Sequence, residues 1–380
     1  MTARSLVLLV LGLLSVAMLD LRVGHGEAAA APVGVRRPAL TQPRPSLAPL
    51  LKIVFTRQRK EPQEVNGVSI PWTVTDICVA RHSAAGATIP ATGATTIQTI
   101  YTEPGNSCGG PRWSPDGQRI VFHGTGLEPG NFDTHISIMR EDGGDLQQLT
   151  VSELDDSGPA WSPDGERIVW SREGDLWTMN ADGSDAALLL AEEGTRYASP
   201  DWSPDGTRIL CTAMDASNTP LIRVLQADGS GVTPVPVYGT SGVMQPRWSP
   251  DGERIVVYSY VGRYWFLYGY FKYYGMYVLD ADGSDGRWLV RPQVATDCSW
   301  TSPDWAPDGR TIICVRDSDV AQLKWINPDD YSDALLLTPD AIASRGDVSG
   351  VDVYVPEGTT AGSIVPVVPA PRTMGPRIQR

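Results

Sequence analysis

The chain has 380 residues and a formal net charge of −13; its 38 Gly and 31 Pro make about a fifth of it, and 42% is hydrophobic, including 12 Trp. So much Gly and Pro excludes a helical protein, and so much apolar residue excludes disorder, which leaves a turn-rich all-β globule. Five arginines and two acids fall in the first fifty residues, so the remainder carries 26 basic against 42 acidic residues, a net of −16, which argues against a nucleic-acid partner.

In chain order, Arg4, an apolar run from Leu6 to Met18 and small residues at Ala28 to Ala31 have the three-part layout of a secretory signal over residues 1–31. An uncleaved N-terminal anchor is the alternative, and both readings put the body outside the cytoplasm, periplasmic or extracellular. Residues 32–50 are rich in Pro, Ala and Arg without apolar periodicity and read as a linker. They hold no Cys, which argues against lipid attachment. Lys52 to Thr56 (KIVFT) and Asp76 to Ala80 (DICVA) then read as the second and third strands of a first blade that lacks its innermost strand.

From there one phrase recurs five times: PRWSPDGQRIVF from Pro111, PAWSPDGERIVW from Pro159, PDWSPDGTRILC from Pro200, PRWSPDGERIVV from Pro246 and PDWAPDGRTIIC from Pro303. The tryptophans Trp113, Trp161, Trp202, Trp248 and Trp305 lie 48, 41, 46 and 57 residues apart, the spacing of four-stranded propeller blades. Within the phrase, Ser-Pro-Asp-Gly is a tight turn between two strands: Pro presets φ, Asp bonds nearby backbone, and Gly takes positive φ. A second signature follows at Ile136 (ISIMREDGGD), Leu176 (LWTMNADGSD), Ile222 (IRVLQADGSG) and Met276 (MYVLDADGSD), with a weaker copy at Leu323 (LKWINPDD), and reads as a third strand entering a hairpin. A fourth strand fits before the next Trp, as at Leu146 to Val151. Val351 to Val355 (VDVYV) is expected to supply the missing inner strand and lock the ring. The expectation is all-β: a six-bladed β-propeller of four-stranded antiparallel blades over residues 51–355, followed by a flexible tail over 356–380. Each Trp buries about 150–250 Å², about 4–6 kcal/mol of gross burial at most, so these five rings read as core.

W-S-P-D-G before an apolar strand, and a later strand ending in A-D-G-S, resemble the WD40-like (PD40) repeat of the TolB propeller family over about 300 residues. In that family the resemblance implies a propeller fold and, for TolB itself, an added α/β domain and a peptidoglycan-associated lipoprotein partner. Here only the linker precedes the propeller. The same repeat forms the propellers of prolyl-oligopeptidase-like peptidases. A peptidase needs a G-x-S-x-G elbow with a later His and acid; the phrase at Gly239 to Gly242 has no His downstream, since the last is His135.

Other chemistry is weighed similarly. Asn180-Ala-Asp182-Gly183-Ser-Asp185 and Asp280-Ala-Asp282-Gly283-Ser-Asp285 resemble the opening of a calcium loop but lack its terminal Glu and read as hairpin turns. His123 and His135 lie near the ends of one connection, on neighbouring strands, where they would face one another as a transition-metal pair or as hydrogen-bonded residues. Cys78, Cys108, Cys211, Cys298 and Cys314 have no C-x-x-C spacing; the odd number leaves one thiol unpaired, and Cys211 and Cys314 sit at equivalent strand positions as buried small hydrophobes. No metal site, cofactor or catalytic residue is expected.

The largest departure from the repeat is Tyr258 to Tyr277, which holds eleven of the thirty aromatic residues in twenty positions. Tyr260, Tyr264, Trp265, Phe266, Tyr268, Tyr270, Phe271 and Tyr273 are candidate binding residues on the face carrying the loops between blades; a hairpin folded over its own blade is the alternative. Asp155, Asp156, Arg196, Tyr197, Gln245 and Asp297, in the loops entering innermost strands, should rim the channel. The functional expectation is an exported non-catalytic propeller binding a protein, peptide or glycan at the cell envelope, with no membrane span beyond the signal segment. Its rival is a metal-dependent hydrolase, lactonase or lyase with a channel site, and a purely structural envelope component is a third reading.

Overall fold

The structure is a computed structural model that describes residues 50–354 except 66–67, 84–87, 90–94, 105–107, 126–132, 218, 266–268, 291–298, 306–308, 310–311, 318–321, 330–332 and 338–346, together with 365–366. The expected signal segment and linker, Phe266, Tyr268, Asp297, Cys298 and all of the tail except Val365–Pro366 lie outside the described residues. The side chains of Tyr264, Trp265, Tyr270, Phe271 and Tyr273 also lie outside them, although their strands are described. Among the described residues no helix is long and apolar enough to cross a membrane.

The described chain forms six four-stranded sheets, each antiparallel, and a two-residue parallel pairing of Val365–Pro366 with Thr88–Ile89. Sheets 2 to 6 are built from consecutive strands whose inner members are Gly109–Trp113, Asp156–Trp161, Arg196–Trp202, Gly242–Trp248 and Ser299–Trp305. Sheet 1 takes its inner strand, Asp347–Tyr354, from the far end of the chain and pairs it with Leu50–Val65, Val353 opposite Ile53 and Asp352 opposite Val54. That strand also lies against the inner strands of sheets 2 and 6. The fourth strand of sheet 2 is shorter than the sequence suggests, Gln147–Gln148 only.

Apolar layers form between successive sheets because second and third strands are apolar on both faces, as strands packed between blades must be. Each phrase Trp sits in the layer ahead of its own sheet: Trp113 with Val54 and Val79 of sheet 1, Trp161 with Val121 and Ile138 of sheet 2, Trp202 with Val169 and Leu176 of sheet 3, Trp248 with Leu210 and Val224 of sheet 4, and Trp305 with Val256 and Val278 of sheet 5. A cation from the preceding sheet caps every ring: Lys52 over Trp113 (5.7 Å), Arg119 over Trp161 (4.9 Å), Arg167 over Trp202 (4.6 Å), Arg208 over Trp248 (4.6 Å) and Arg254 over Trp305 (4.5 Å). One Trp therefore serves as core and as half of a cation–π latch between sheets.

The turns are as read. Arg119 N–H donates to Ser114 Oγ at 2.9 Å and Gly117 N–H to the Ser114 carbonyl at 2.8 Å, and the arrangement repeats at Ser162, Ser203 and Ser249. In the A-D-G-S turns the aspartates are used locally. The Ser184 hydroxyl and then its N–H hold the Asp182 carboxyl below its ordinary range, with Ser230 acting likewise on Asp228. These turns also tuck beneath the preceding sheet: a Cβ on Gly143 (φ 85°) would lie 2.2 Å from the Ile100 carbonyl oxygen, and one on Gly229 (φ 89°) 2.3 Å from that of Leu189. Only Gly fits there. Cys78, Cys108, Cys211 and Cys314 are buried, and burial pushes the Cys211 thiol up to about 12.

Candidate functional site: the channel and its mouth

Inner strands line the axis, and each of the five phrase-bearing ones carries the same irregularity. Three residues before the Trp, Gly110, Gly158, Ser199, Gln245 and Ser302 have φ between 51° and 60°, and strand register shifts there. Such bulges turn a strand and re-aim its side chains, and the non-glycine members hold a conformation that costs about 1 kcal/mol or more. Neighbouring sheets take up the exposed amides: Gln245 N–H donates to Thr212 Oγ1 at 3.1 Å and Gly158 N–H to His123 Nδ1 at 3.4 Å.

His123 and His135 do not face each other. His123 pairs with Ile136 and His135 with Gly124, one step out of register, so the two rings lie on opposite faces of sheet 2 and the expected pair is corrected. His123 is 7% exposed, and a Cβ on Gly109 would come within 2.9 Å of its ring. Burial lowers its pKa to about 4, against the raising effect of Asp155 and Asp156, so the ring is neutral at physiological pH. The sequence does contain G-x-S-x-G, at Gly105-Asn106-Ser107-Cys108-Gly109, a match that the reading at Gly239 passes over. It runs into the inner strand of sheet 2, with no helix after it, and His123 Nδ1 accepts an N–H where a Ser-His-Asp triad requires it to donate to the acid.

The expected rim residues take varied places. Asp155 accepts from Thr134 N–H (2.9 Å) and Thr134 Oγ1 (3.1 Å), tying sheet 3 to sheet 2. Asp156 is fully buried, gripped by Arg172 Nε (2.7 Å) and Nη2 (2.9 Å) and by Trp170 Nε1 (2.8 Å). Tyr197 is buried; its hydroxyl accepts from Arg223 at 2.9 Å, Glu192 pairs with the same guanidinium, and burial raises the phenol pKa. Arg196 is exposed at the start of its strand and Gln245 is buried at the bulge. Tyr260 is 4% exposed and packs on Tyr274 at 5.7 Å.

Sequence reasoning missed the axis itself. Immediately before each Trp the repeat places Arg112, Ala160, Asp201, Arg247 and Asp304, and strand register puts Asp352 at the equivalent place in sheet 1. Asp201 Oδ1 lies 4.0 Å from Arg112 and 4.0 Å from Arg247, all three side chains being no more than 4% exposed. Asp201 also accepts Trp248 N–H at 3.0 Å. Arg112 belongs to sheet 2 and Asp201 to sheet 4, so their contact passes in front of Ala160 of sheet 3, which is possible only where inner strands converge. The signal was available: this is the position in P-x-W that switches between Arg, Asp and Ala while its neighbours stay fixed.

Topology and axis together define the class, an antiparallel β-propeller with four-stranded blades. Residues 91–259 match the family model described as PD40, the TolB beta propeller domain. No curated protein matches the sequence. Among solved structures, TolB from Acinetobacter baumannii is similar with a TM-score of 0.58 and 16% identity over 79% of this chain and 66% of that one. Hydrazine synthase from Kuenenia stuttgartiensis gives 0.57 and 14% over 81% and 47%, and a nidogen/laminin complex 0.55 and 11% over 80% and 98%. At such identities the likeness is one of fold.

Proposed function

We propose that the chain is an exported, non-catalytic binding protein, a single six-bladed ring whose channel mouth receives a protein, peptide or glycan at the cell envelope. The observation that carries this reading is the Arg112–Asp201–Arg247 cluster: of the aspartates at the axial position, Asp201 holds its carboxylate between two guanidinium groups. A metal-dependent hydrolase or lyase would gather several carboxylates or imidazoles on the axis with a vacant position for substrate. The two arginines claim the Asp201 carboxylate, which argues for recognition at the mouth. The strand exchange in sheet 1 supports the six-bladed ring, since it gives the first blade its fourth strand.

The test is cross-linking from the mouth in intact envelopes. Arg196, exposed beside the bulge of sheet 4, is replaced by a photoreactive residue, with Val151, 85% exposed, as a control position. A discrete adduct at 196 that is weak at 151 is the expected result. No adduct at 196, together with turnover of a lactone or uronide substrate abolished by Asp201→Asn, would replace the binding reading with the enzymatic one.

A further inference from the structure

Sheets 2 and 4 meet the same local need with side chains of different size. At two of the bulges the exposed amide turns to the preceding sheet, where a second-strand residue accepts it: Thr212 Oγ1 from Gln245 at 3.1 Å, and His123 Nδ1 from Gly158 at 3.4 Å. The two acceptors occupy equivalent places, since Thr212 stands opposite Ala198 and His123 opposite Gly109, each four residues before the phrase Trp. One acceptor is all that the bulge requires. The imidazole brings a second polar atom, because a neutral ring that accepts at Nδ1 carries its proton on Nε2. Among the described residues this Nε2–H has no partner, although the side chain is only 7% exposed.

The inner strand of sheet 2 is cut away to seat the far edge of that ring. A Cβ on Gly109 would lie 2.9 Å from both Cε1 and Nε2, and one on Gly110 would lie 3.1 Å from Nδ1. The backbone itself demands glycine at neither place. Ser199, Gln245 and Ser302 hold the bulge conformation of Gly110 with side chains of their own, and Gly109 is not a positive-φ residue. What requires the two glycines is the imidazole. Gly109 belongs to the strand that lines the axis, so the Cε1–Nε2 edge, reaching over it from the second strand, faces the channel. Beside it sheets 2 and 3 nearly touch: a Cβ on Gly110 would be 3.7 Å from Gly158 Cα. Whatever meets Nε2 from the channel must be slim.

We propose that His123 is a ligand-binding residue whose Nε2–H donates to a backbone carbonyl of an extended peptide held in the channel mouth. This rests on the mouth-binding reading and names the group that the site recognises. A carbonyl oxygen is one atom wide and offers two lone pairs, so it enters where two backbones nearly touch and a sugar ring does not. Charge narrows the choice further. Asp155 and Asp156 act electrostatically on the ring, so an anionic group is repelled, and a protonated Nε2 has no lone pair to give a metal ion. The acceptor is therefore uncharged. Pairing with it relieves a donor that burial has already taken out of water, which is where a hydrogen bond contributes most to binding.

The test uses the full chain with isotope-labelled histidine and, as probe, an acetylated and amidated alanine tetrapeptide at millimolar concentration. The His123 Nε2 resonance should move when the peptide is added, while that of His135, on the other face of sheet 2, stays in place. His123→Phe should weaken peptide binding roughly 10-fold. His123→Gln, which offers an acceptor to Gly158 and a donor to the channel, should restore most of it. Gly109→Ala drives a Cβ against the ring edge and gives a second route to the same loss if His123→Phe does not fold. An Nε2 resonance that stays still overturns the proposal. So does movement with N-acetylglucosamine but not with the peptide, and so does a preference for the free-acid form of the peptide. A strong Arg196-position adduct in envelopes with a silent Nε2 rejects this proposal alone; a responsive Nε2 in a protein that gives no such adduct rejects the mouth-binding reading of its partner alone.

Discussion

The junctions between sheets 1 to 6 and the seam between sheets 6 and 1 are held together differently. Each of the five junctions has a latch in which a Lys or Arg caps the next Trp within 5.7 Å. At the seam both halves are missing from the sequence: Thr311 stands where the other phrases have Arg, and Val353 is the register equivalent of the Trp. What the seam has instead is backbone pairing of Asp347–Tyr354 with the first strand. Side-chain latches suit identical joints made in series along the chain. The last joint unites two chain ends, and a shared strand gives it directional hydrogen bonds and covers the inner edge of Leu50–Val65.

The largest effect should come from the seam. Truncation after residue 346 removes the inner strand of sheet 1 and leaves the Ile53–Phe55 edge open, and is expected to cost more than about 5 kcal/mol in urea unfolding, beyond ordinary single substitutions. Next is the axis: Asp201→Ala strands two buried guanidinium groups and should cost about 3–5 kcal/mol. Removing one latch, as in Arg208→Ala, is expected to cost about 1 kcal/mol, whereas Thr311→Arg should be nearly neutral because Val353 offers no ring. A latch removal as costly as the truncation would erase the distinction between junctions and seam.

His123 gives a pH signature of the regular part. Its folded pKa of about 4 lies below the ordinary 6.5, so between these values the unfolded chain binds more protons and stability falls as pH drops from 6.5 to 4. The full loss is about 3 kcal/mol. His123→Gln should flatten stability across that window, read from melting temperatures at pH 7 and pH 4.5, while a similar substitution at an exposed site leaves the slope unchanged.

Much of the fold was legible because its determinants are local and repeated. The S-P-D-G and A-D-G-S turns, the Trp spacing and the strand at Val351 each follow from a short stretch read alone. The histidine pair was misread because facing depends on register to a single residue. Asp156 and Tyr197 lie at the starts of inner strands rather than in the loops before them, and both are buried against Arg172 and Arg223, arginines of their own sheets. That burial arises from folding and has no sequence motif. The axial charges were visible as the variable residue before each Trp, but their meaning needs the ring, since Arg112 and Asp201 are separated by a whole sheet.

Hydrogen exchange at the amides of Val351 to Tyr354 tests the central claim, that the seam is closed by a shared strand, most directly. Protection comparable to that of the inner strand Asp156–Trp161 of sheet 3 is the expected result. Exchange at the rate of an unstructured peptide, with Asp156–Trp161 still protected, would mean that the C-terminal strand does not close the ring.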